Sequence, residues 1–196
     1  LHNLNHFKKY QELNLIFGEE ANEGIIIIDM ETKKELDIFH LSKAKSCFKA
    51  DIIIKMVKTN NIYNCSIKSK KGANPTILNH TPRNAKVFSK EGILGDKLEC
   101  LDQIINEYID KRNQQIIGED IHLIELDSIK NIEVENNFIE VLGYFMFEGT
   151  GKGESQEKAN SILSIEENNE IHFIKCITKE EKKNYIQNTL GKYIIS

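Results

Sequence analysis

The chain has 196 residues and a mass of 22.6 kDa, which suits one domain with a substantial hydrophobic core. No run of eighteen apolar residues occurs, so the sequence predicts no membrane span. The formal charge of −4 is mildly acidic, but it conceals a strong local asymmetry. Because the chain begins with Leu1 and ends in the strand-like Tyr193–Ser196, we expect a fragment of a longer protein.

Four widely spaced cysteines indicate a reducing environment. No two of them form a CxxC pair, and a chain of this length does not need disulfides to stabilise its core. The sequence therefore predicts free thiols and a cytoplasmic protein, and it disfavours a zinc site.

The N-terminal half of the chain predicts a helix followed by a series of strands. An irregular helical stripe of apolar residues ends at Gly18, and the strands that follow are bounded by polar turns. The segment 72–81 lacks a clear period and predicts an ordered loop or short helical turn. The predicted elements are a helix at 4–17 and strands at 25–28, 35–39, 50–57 and 62–69.

The C-terminal half predicts a long helix, further strands and a last helix. Leu98, Leu101, Ile104 and Ile105 recur at helical spacing, and Thr178 with Glu181 forms a capping box. The predicted elements are a helix at 96–115, strands at 121–126, 137–147 and 171–177, and a helix that begins at the capping box. The whole order is typical of an α/β or α+β fold, a central mixed sheet flanked by helices.

A basic block occupies residues 42–90. It contains eleven lysines and arginines but a single acid, Asp51, so the block carries +10 while the rest of the chain carries −14. Because this block spans two predicted strands and a loop, we expect its charges to gather on one side of the fold. Such a surface favours a polyanionic partner, although a solvated lysine-rich face is the simpler alternative.

Asp51 and Lys68 lie on two neighbouring strands of that block. Side chains alternate along a strand, and pairing the strands through the Asn60-Asn61 turn brings Asp51 and Lys68 to the same end of the hairpin. A carboxylate that holds Mg²⁺ and a lysine that activates water are the layout of a metal-dependent phosphodiesterase. An ordinary edge-strand lysine is the alternative interpretation of Lys68.

With these residues the chain resembles the PD-(D/E)xK nuclease superfamily. The run from Ser66 to Thr81, SIKSKKGANPTILNHT, is similar to the segment that follows the catalytic lysine in type II restriction endonucleases. The resemblance covers about residues 24–115. It implies a restriction-endonuclease-like core, a Mg²⁺-dependent activity that cuts both strands of duplex DNA at a specific sequence, and a homodimer, because palindromic targets match a two-fold protein.

The resemblance also implies how the domain is divided and which residues form its site. One nuclease domain spans 1–196, with its core at about 1–126, while 127–196 completes the DNA-binding part. Asp51, Ser66 and Lys68 fall at the catalytic positions. Ala50 replaces the motif's proline, and Ser66 replaces its second carboxylate. We therefore expect a helix or turn to supply the missing acid, with Glu20 first and Glu12 second as metal ligands. The other candidates are Glu23, Glu91, Asp96 and Glu99.

Polar residues after Lys68 are candidates for contacts with DNA. Lys70 and Lys71 are expected to bind phosphates, while Asn79, His80, Thr81 and Arg83 carry groups that read base edges in the major groove. The Gly149–Ser155 segment fails the P-loop spacing, and it predicts a plain loop or a DNA-backbone contact through Lys152. A structure-specific repair nuclease and a catalytically inactive DNA-binding module remain as alternative functions.

Overall fold

A five-stranded mixed sheet forms the centre of the molecule. The computed structural model describes residues 10–36, 45, 47–69, 76–78, 92–118, 132–189 and 194–195. The sheet has the strand order β1-β2-β3-β7-β8, in which β1 to β3 form an antiparallel meander, β7 runs parallel to β3, and β8 is antiparallel to β7. Its strands are β1 (Ile25–Asp29), β2 (Ile52–Met56), β3 (Ile62–Ser69), β7 (Ser161–Ile165) and β8 (Ile171–Lys175).

Helices and four short strands surround this sheet. A parallel pair is formed by β4 and β9, and an antiparallel hairpin by β5 and β6. No helix in the described ranges is long and apolar enough to cross a membrane. The helices are α1 (Tyr10–Phe17), α2 (Asp96–Asn113), α3 (Ile132–Gly143) and α4 (Lys179–Thr189), and the short strands are β4 (Thr76–Leu78), β5 (Gly149–Thr150), β6 (Gly153–Glu154) and β9 (Ile194–Ile195). The predicted class, α+β with a mixed central sheet, is confirmed.

The sheet buries a different hydrophobic cluster on each face. On one face, here called the α1 face, Leu13 and Phe17 of α1 pack on the strands. On the other, the α3 face, residues of α2, α3 and α4 pack on Ile53 and Ile162. Because neighbouring strand residues point to opposite faces, Leu163 joins the α1 cluster while Ile162 joins the α3 cluster.

Two local predictions from the sequence are confirmed in detail. The second strand of the hairpin has the predicted bounds, Ile62–Ser69. The capping box opens α4, because the backbone N–H of Glu181 donates to Thr178 Oγ1 at 3.1 Å and the N–H of Thr178 donates to Glu181 Oε2 at 2.8 Å. The capping box depends on close neighbours in the chain, whereas the second half of β3 pairs with the distant strand β7.

The predicted strand at 137–147 is wrong. The segment forms α3 and then a π-helical turn, Tyr144–Glu148. Phe138, Val141 and Leu142 recur at three- and four-residue spacing, and burial of that helical stripe outweighs the strand propensity of aromatic and branched side chains.

The loop predicted at 72–81 and the loop at 149–153 also contain strands. Thr76–Leu78 pairs with Ile194–Ile195, more than a hundred residues away in the chain, and the glycine-rich segment closes as the β5–β6 hairpin. No element was predicted for β7. This strand is buried on both faces, so its sequence does not alternate between exposed polar and buried apolar residues.

Two other predicted strands have incomplete outcomes. The strand predicted at 35–39 is reduced to a single bridge between Ile28 and Glu35 among the described residues. The strand predicted at 121–126 lies outside the described residues.

Candidate active site

The central strand β3 extends beyond its neighbour β2, and the candidate site forms at that point. The ladder between β2 and β3 ends at the pair Ile52 and Cys65, whereas β3 continues to Ser69 paired with β7. Beyond the end of the ladder, the Asp51 side chain forms hydrogen bonds with residues of β3. Its Oδ2 accepts a hydrogen bond from the backbone N–H of Ile67 at 2.7 Å and from Ser66 Oγ at 3.4 Å. The carboxylate is therefore oriented by backbone, while the residue itself remains exposed.

Lys68 lies beside this carboxylate. Strand alternation places Ser66 and Lys68 on the α3 face, opposite Cys65 of the α1 cluster. Burial lowers the pKa of the Lys68 ammonium, and the negative charge of Asp51 partly opposes that shift. The structure thus brings together the two residues on which the catalytic interpretation depends, with Ser66 between them.

Lys68 and Asp51 do not form a direct ion pair. Within the described part of the chain, neither residue has an oppositely charged group within 4.0 Å, although their charges act on each other. Both groups therefore keep a charge that no ion pair within the described residues neutralises.

A third charged group, Lys49, completes the site. Burial and the positive charge of Lys68 together lower the pKa of Lys49 to about 8, and the negative charge of Asp51 partly opposes them. From the sequence, Lys49 was one charge of the basic block without a predicted role. Its position two residues before Asp51 was the available signal. We call Lys49, Asp51, Ser66 and Lys68 the Asp51 cluster.

The Asp51 cluster fits a Mg²⁺ ion only through one carboxylate. Oδ1 of Asp51 accepts no hydrogen bond from any residue that the structure describes, and Mg²⁺ commonly takes one or two protein carboxylates while water and substrate phosphates fill its other positions. Ser66 is 3% exposed and its hydroxyl is turned to Asp51, so it offers no second charge. No group of three or more His, Cys, Asp or Glu residues suited to a metal occurs in the described ranges.

Glu20, the first sequence candidate for the missing acid, is not brought to the Asp51 cluster. Its Oε2 accepts a hydrogen bond from the Tyr63 hydroxyl at 2.7 Å, and its Oε1 lies 3.0 Å from Lys175 Nζ. Tyr63 belongs to the α1 cluster, so Glu20 lies on the face opposite Ser66 and Lys68. Hydrogen bonds from Tyr63 and Lys175 lower the pKa of Glu20. The expectation of Glu20 as a metal ligand beside Asp51 does not agree with this placement.

Among the described residues, the remaining acid candidates do not supply a second metal-binding carboxylate beside Asp51. Glu12 belongs to α1, which packs on the α1 face, and its side chain lies outside the described residues, as does the whole of Glu91. Glu23 is exposed in the turn before β1, and Asp96 and Glu99 are exposed in the first turn of α2.

The predicted DNA contacts have mixed outcomes. Lys152 is exposed at the tip of the β5–β6 hairpin, and Ser155, three residues later, accepts a hydrogen bond from the backbone N–H of Lys49. That hairpin therefore adjoins the Asp51 cluster. The other predicted contacts lie outside the described residues: Lys70, Lys71, Asn79, His80, Thr81 and Arg83.

A cavity of about 630 Å³ between α3 and α4 is a weaker candidate. Two of its lysines are already engaged, since Lys182 Nζ lies 3.0 Å from Glu148 Oε1 and Lys183 Nζ donates to Asn136 Oδ1 at 3.1 Å. None of the residues of the Asp51 cluster lines it. Its charges are balanced within the protein, unlike those of the Asp51 cluster.

Comparison with known proteins adds no relative from which a function could be transferred. No family model matches the chain, and neither a curated protein nor a solved structure matches it.

Proposed function

We propose that the protein is a Mg²⁺-dependent endonuclease that cleaves double-stranded DNA at specific sequences. The observation that carries this proposal is the convergence of Asp51 and Lys68 where β3 extends beyond the end of β2. The Asp51 carboxylate is oriented there by the backbone N–H of Ile67. Asp51 and Lys68 occupy the first-acid and lysine positions of the PD-(D/E)xK motif, while Ser66 stands at the position of its second acid.

The order of the structural elements also supports the proposal. A helix, a three-stranded meander, helices and a returning strand parallel to β3 follow one another along the chain. The helix and the meander before β3 were predicted from the sequence, whereas the parallel strand β7 was not. We propose that the sheet and helices form a nuclease core of that kind.

The chemistry assigned to each residue follows from its surroundings. Asp51 would hold the Mg²⁺ ion, which supplies Lewis-acid stabilisation of a phosphate in phosphodiester hydrolysis. Lys68 orients the attacking water, and because burial lowers its pKa the neutral amine that can take a proton from that water is more accessible. Ser66 acts on neither water nor phosphate, and instead donates a hydrogen bond that helps to orient Asp51.

The expected partner is duplex DNA bound by a homodimer in the cytoplasm. The basic block that surrounds Asp51 favours a polyanion, and a two-fold protein would match a palindromic site. Arg83, Asn79, His80 and Thr81 remain the proposed readers of base edges, and Lys70, Lys71 and Lys152 the proposed phosphate contacts.

Plasmid cleavage tests the activity. The wild-type protein is incubated with plasmid DNA with and without Mg²⁺, beside Asp51→Asn and the control Lys111→Gln, a lysine of α2 that lies outside the basic block and pairs with Glu107. We expect discrete fragments from the wild type and Lys111→Gln only when Mg²⁺ is present, and none from Asp51→Asn. Smears would favour a repair nuclease, and DNA binding without cleavage an inactive module. Cleavage by Asp51→Asn at the wild-type rate would remove Asp51 from the site.

Sequence specificity is tested separately with Arg83→Ala. If Arg83 reads a base edge, its loss changes the fragment pattern or weakens binding by about 1–3 kcal/mol at the cognate site. Mapping the cut ends by sequencing measures this change. An unchanged pattern and affinity would remove Arg83 from the recognition residues.

A further inference from the structure

Lys49 is held in place by its backbone. Its N–H donates to Glu157 O at 3.0 Å and to Ser155 Oγ at 3.2 Å, and the next residue, Ala50, donates to the same Glu157 carbonyl at 3.2 Å. Ser155 is itself buried, and its hydroxyl donates to Glu157 O at 3.0 Å. The segment before Asp51 is therefore fixed between β3 and the loop that follows β6.

Among the described residues, Asp51 is the counter-charge that acts on the Lys49 side chain, and Lys68 shares it. Lys49 is half-buried, and the positive charge of Lys68 also acts on it. In the described part of the chain no carboxylate lies within ion-pair distance of Lys49. The carboxylate of Glu157, in the loop that anchors the Lys49 backbone, is already engaged with Lys33 at 2.6 Å.

Two half-buried ammonium groups against one carboxylate leave a net positive site. Holding such a charge away from water is unfavourable unless an anion compensates it. A phosphate oxygen is an anion of suitable size and geometry, and lysine binds phosphate as a point charge without needing a bidentate fit.

We propose that Lys49 is a phosphate-binding residue, which holds a DNA phosphate oxygen beside Asp51 and Lys68. The proposal rests on the proposed nuclease function and deepens it, because it assigns one substrate contact that the motif itself does not contain. In this role Lys49 fixes the position of the sugar–phosphate backbone, while Lys68 orients the attacking water.

The test measures binding in the absence of cleavage. Affinity for a short mixed-sequence duplex is determined by fluorescence anisotropy in EDTA over a series of salt concentrations, for the wild type, Lys49→Gln, Lys49→Arg and the control Lys111→Gln. Each phosphate contact contributes about 0.9 to the slope of log K against log salt concentration. We expect Lys49→Gln to lose about that amount, while Lys49→Arg and Lys111→Gln keep the wild-type slope.

Each outcome decides the proposal. A wild-type slope for Lys49→Gln overturns it, and so does a wild-type protein that binds no duplex at all, which would also overturn the nuclease function. Should Lys49→Gln melt well below the wild type, Lys49→Met, which keeps an unbranched stem, takes its place. A wild-type protein that binds and shows the slope change but cleaves no plasmid leaves the phosphate contact in place and removes only the nuclease function.

Discussion

The two faces of β3 carry the same kinds of ionisable group in opposite arrangements. On the α1 face, Glu20 accepts a hydrogen bond from Tyr63 and forms an ion pair with Lys175, so the acid and the base neutralise each other. On the α3 face, the negative charge of Asp51 acts on both Lys49 and Lys68, but neither lysine nitrogen lies within 4.0 Å of its carboxylate oxygens. The first arrangement stabilises the fold, whereas the second leaves charge available for a ligand.

The pKa shifts of the lysines express the same contrast. Lys175 is close to its counter-ion, so hydrogen bonds to Glu20 and Tyr63 outweigh burial and its pKa is raised. Burial dominates at Lys68, and its pKa is lowered. A lysine that is satisfied within the protein holds its proton more firmly, while an unsatisfied one gives it up more easily.

The largest expected effect comes from replacing Lys68 with methionine. Removal of a proton-transfer group costs about 100-fold to 10,000-fold in rate, so plasmid cleavage by Lys68→Met should fall by at least that lower factor. The same change deletes a partly desolvated charge, so we expect an unchanged or higher melting temperature in thermal unfolding. A large loss of stability would indicate that Lys68 is a structural residue like Lys175.

Glu20→Gln should have the opposite profile. Loss of a charged hydrogen-bond acceptor for Tyr63 and Lys175 is expected to cost about 1–2 kcal/mol of unfolding free energy at neutral pH, with little effect on cleavage. The pKa of Glu20 is lowered from 4.5 in the folded protein, so its contribution is complete above that value and is lost as the pH falls further. Urea unfolding at several pH values measures it. A difference between wild type and variant that grows in acid would contradict this interpretation.

Tyr63→Phe separates the hydrogen bond from the ion pair. The ring keeps its edge contact with Phe173, whose centroid lies 5.3 Å away, and Glu20 keeps Lys175. We therefore expect a loss of about 0.5–1.5 kcal/mol, smaller than that of Glu20→Gln. Denaturant unfolding of the two single variants and their double variant gives the coupling energy. A coupling near zero would show that the hydroxyl and the carboxylate act independently.

Lys152→Gln has the smallest expected effect. Lys152 is exposed at the hairpin tip, and exposed charges contribute up to about 1 kcal/mol, which corresponds to a loss of about fivefold or less in affinity for duplex DNA. Anisotropy titration at low salt measures it. A loss as large as that of Lys49→Gln would place the main phosphate contact on the hairpin instead of beside Asp51.

Much of the three-stranded meander, and the choice of Asp51 and Lys68 as site candidates, could be predicted from the sequence. Alternation and turn residues predict the strand Ile62–Ser69, and Asp51 is distinguished as the single acid of a basic block. Helical periodicity located α2, and the Thr178–Glu181 capping box located the start of α4. The signals that predict these features come from residues close together in the chain.

Other features could not be predicted, because their cause lies in distant segments. The strand β7 exists because it is buried between β3 and β8, and Thr76–Leu78 becomes a strand only by pairing with Ile194–Ile195. The face occupied by Glu20 was decided by the packing of α1, which its own sequence does not specify.

By itself, the sequence determined the local elements, the basic block, and the candidate pair Asp51 and Lys68. Periodicity, capping and charge are properties of short segments, so they can be recognised without the fold. Only the tertiary structure decided that Lys49 joins this pair and that Glu20 does not. The physical reason is that burial and long-range packing set which charges can reach one another, and the distance along the chain does not.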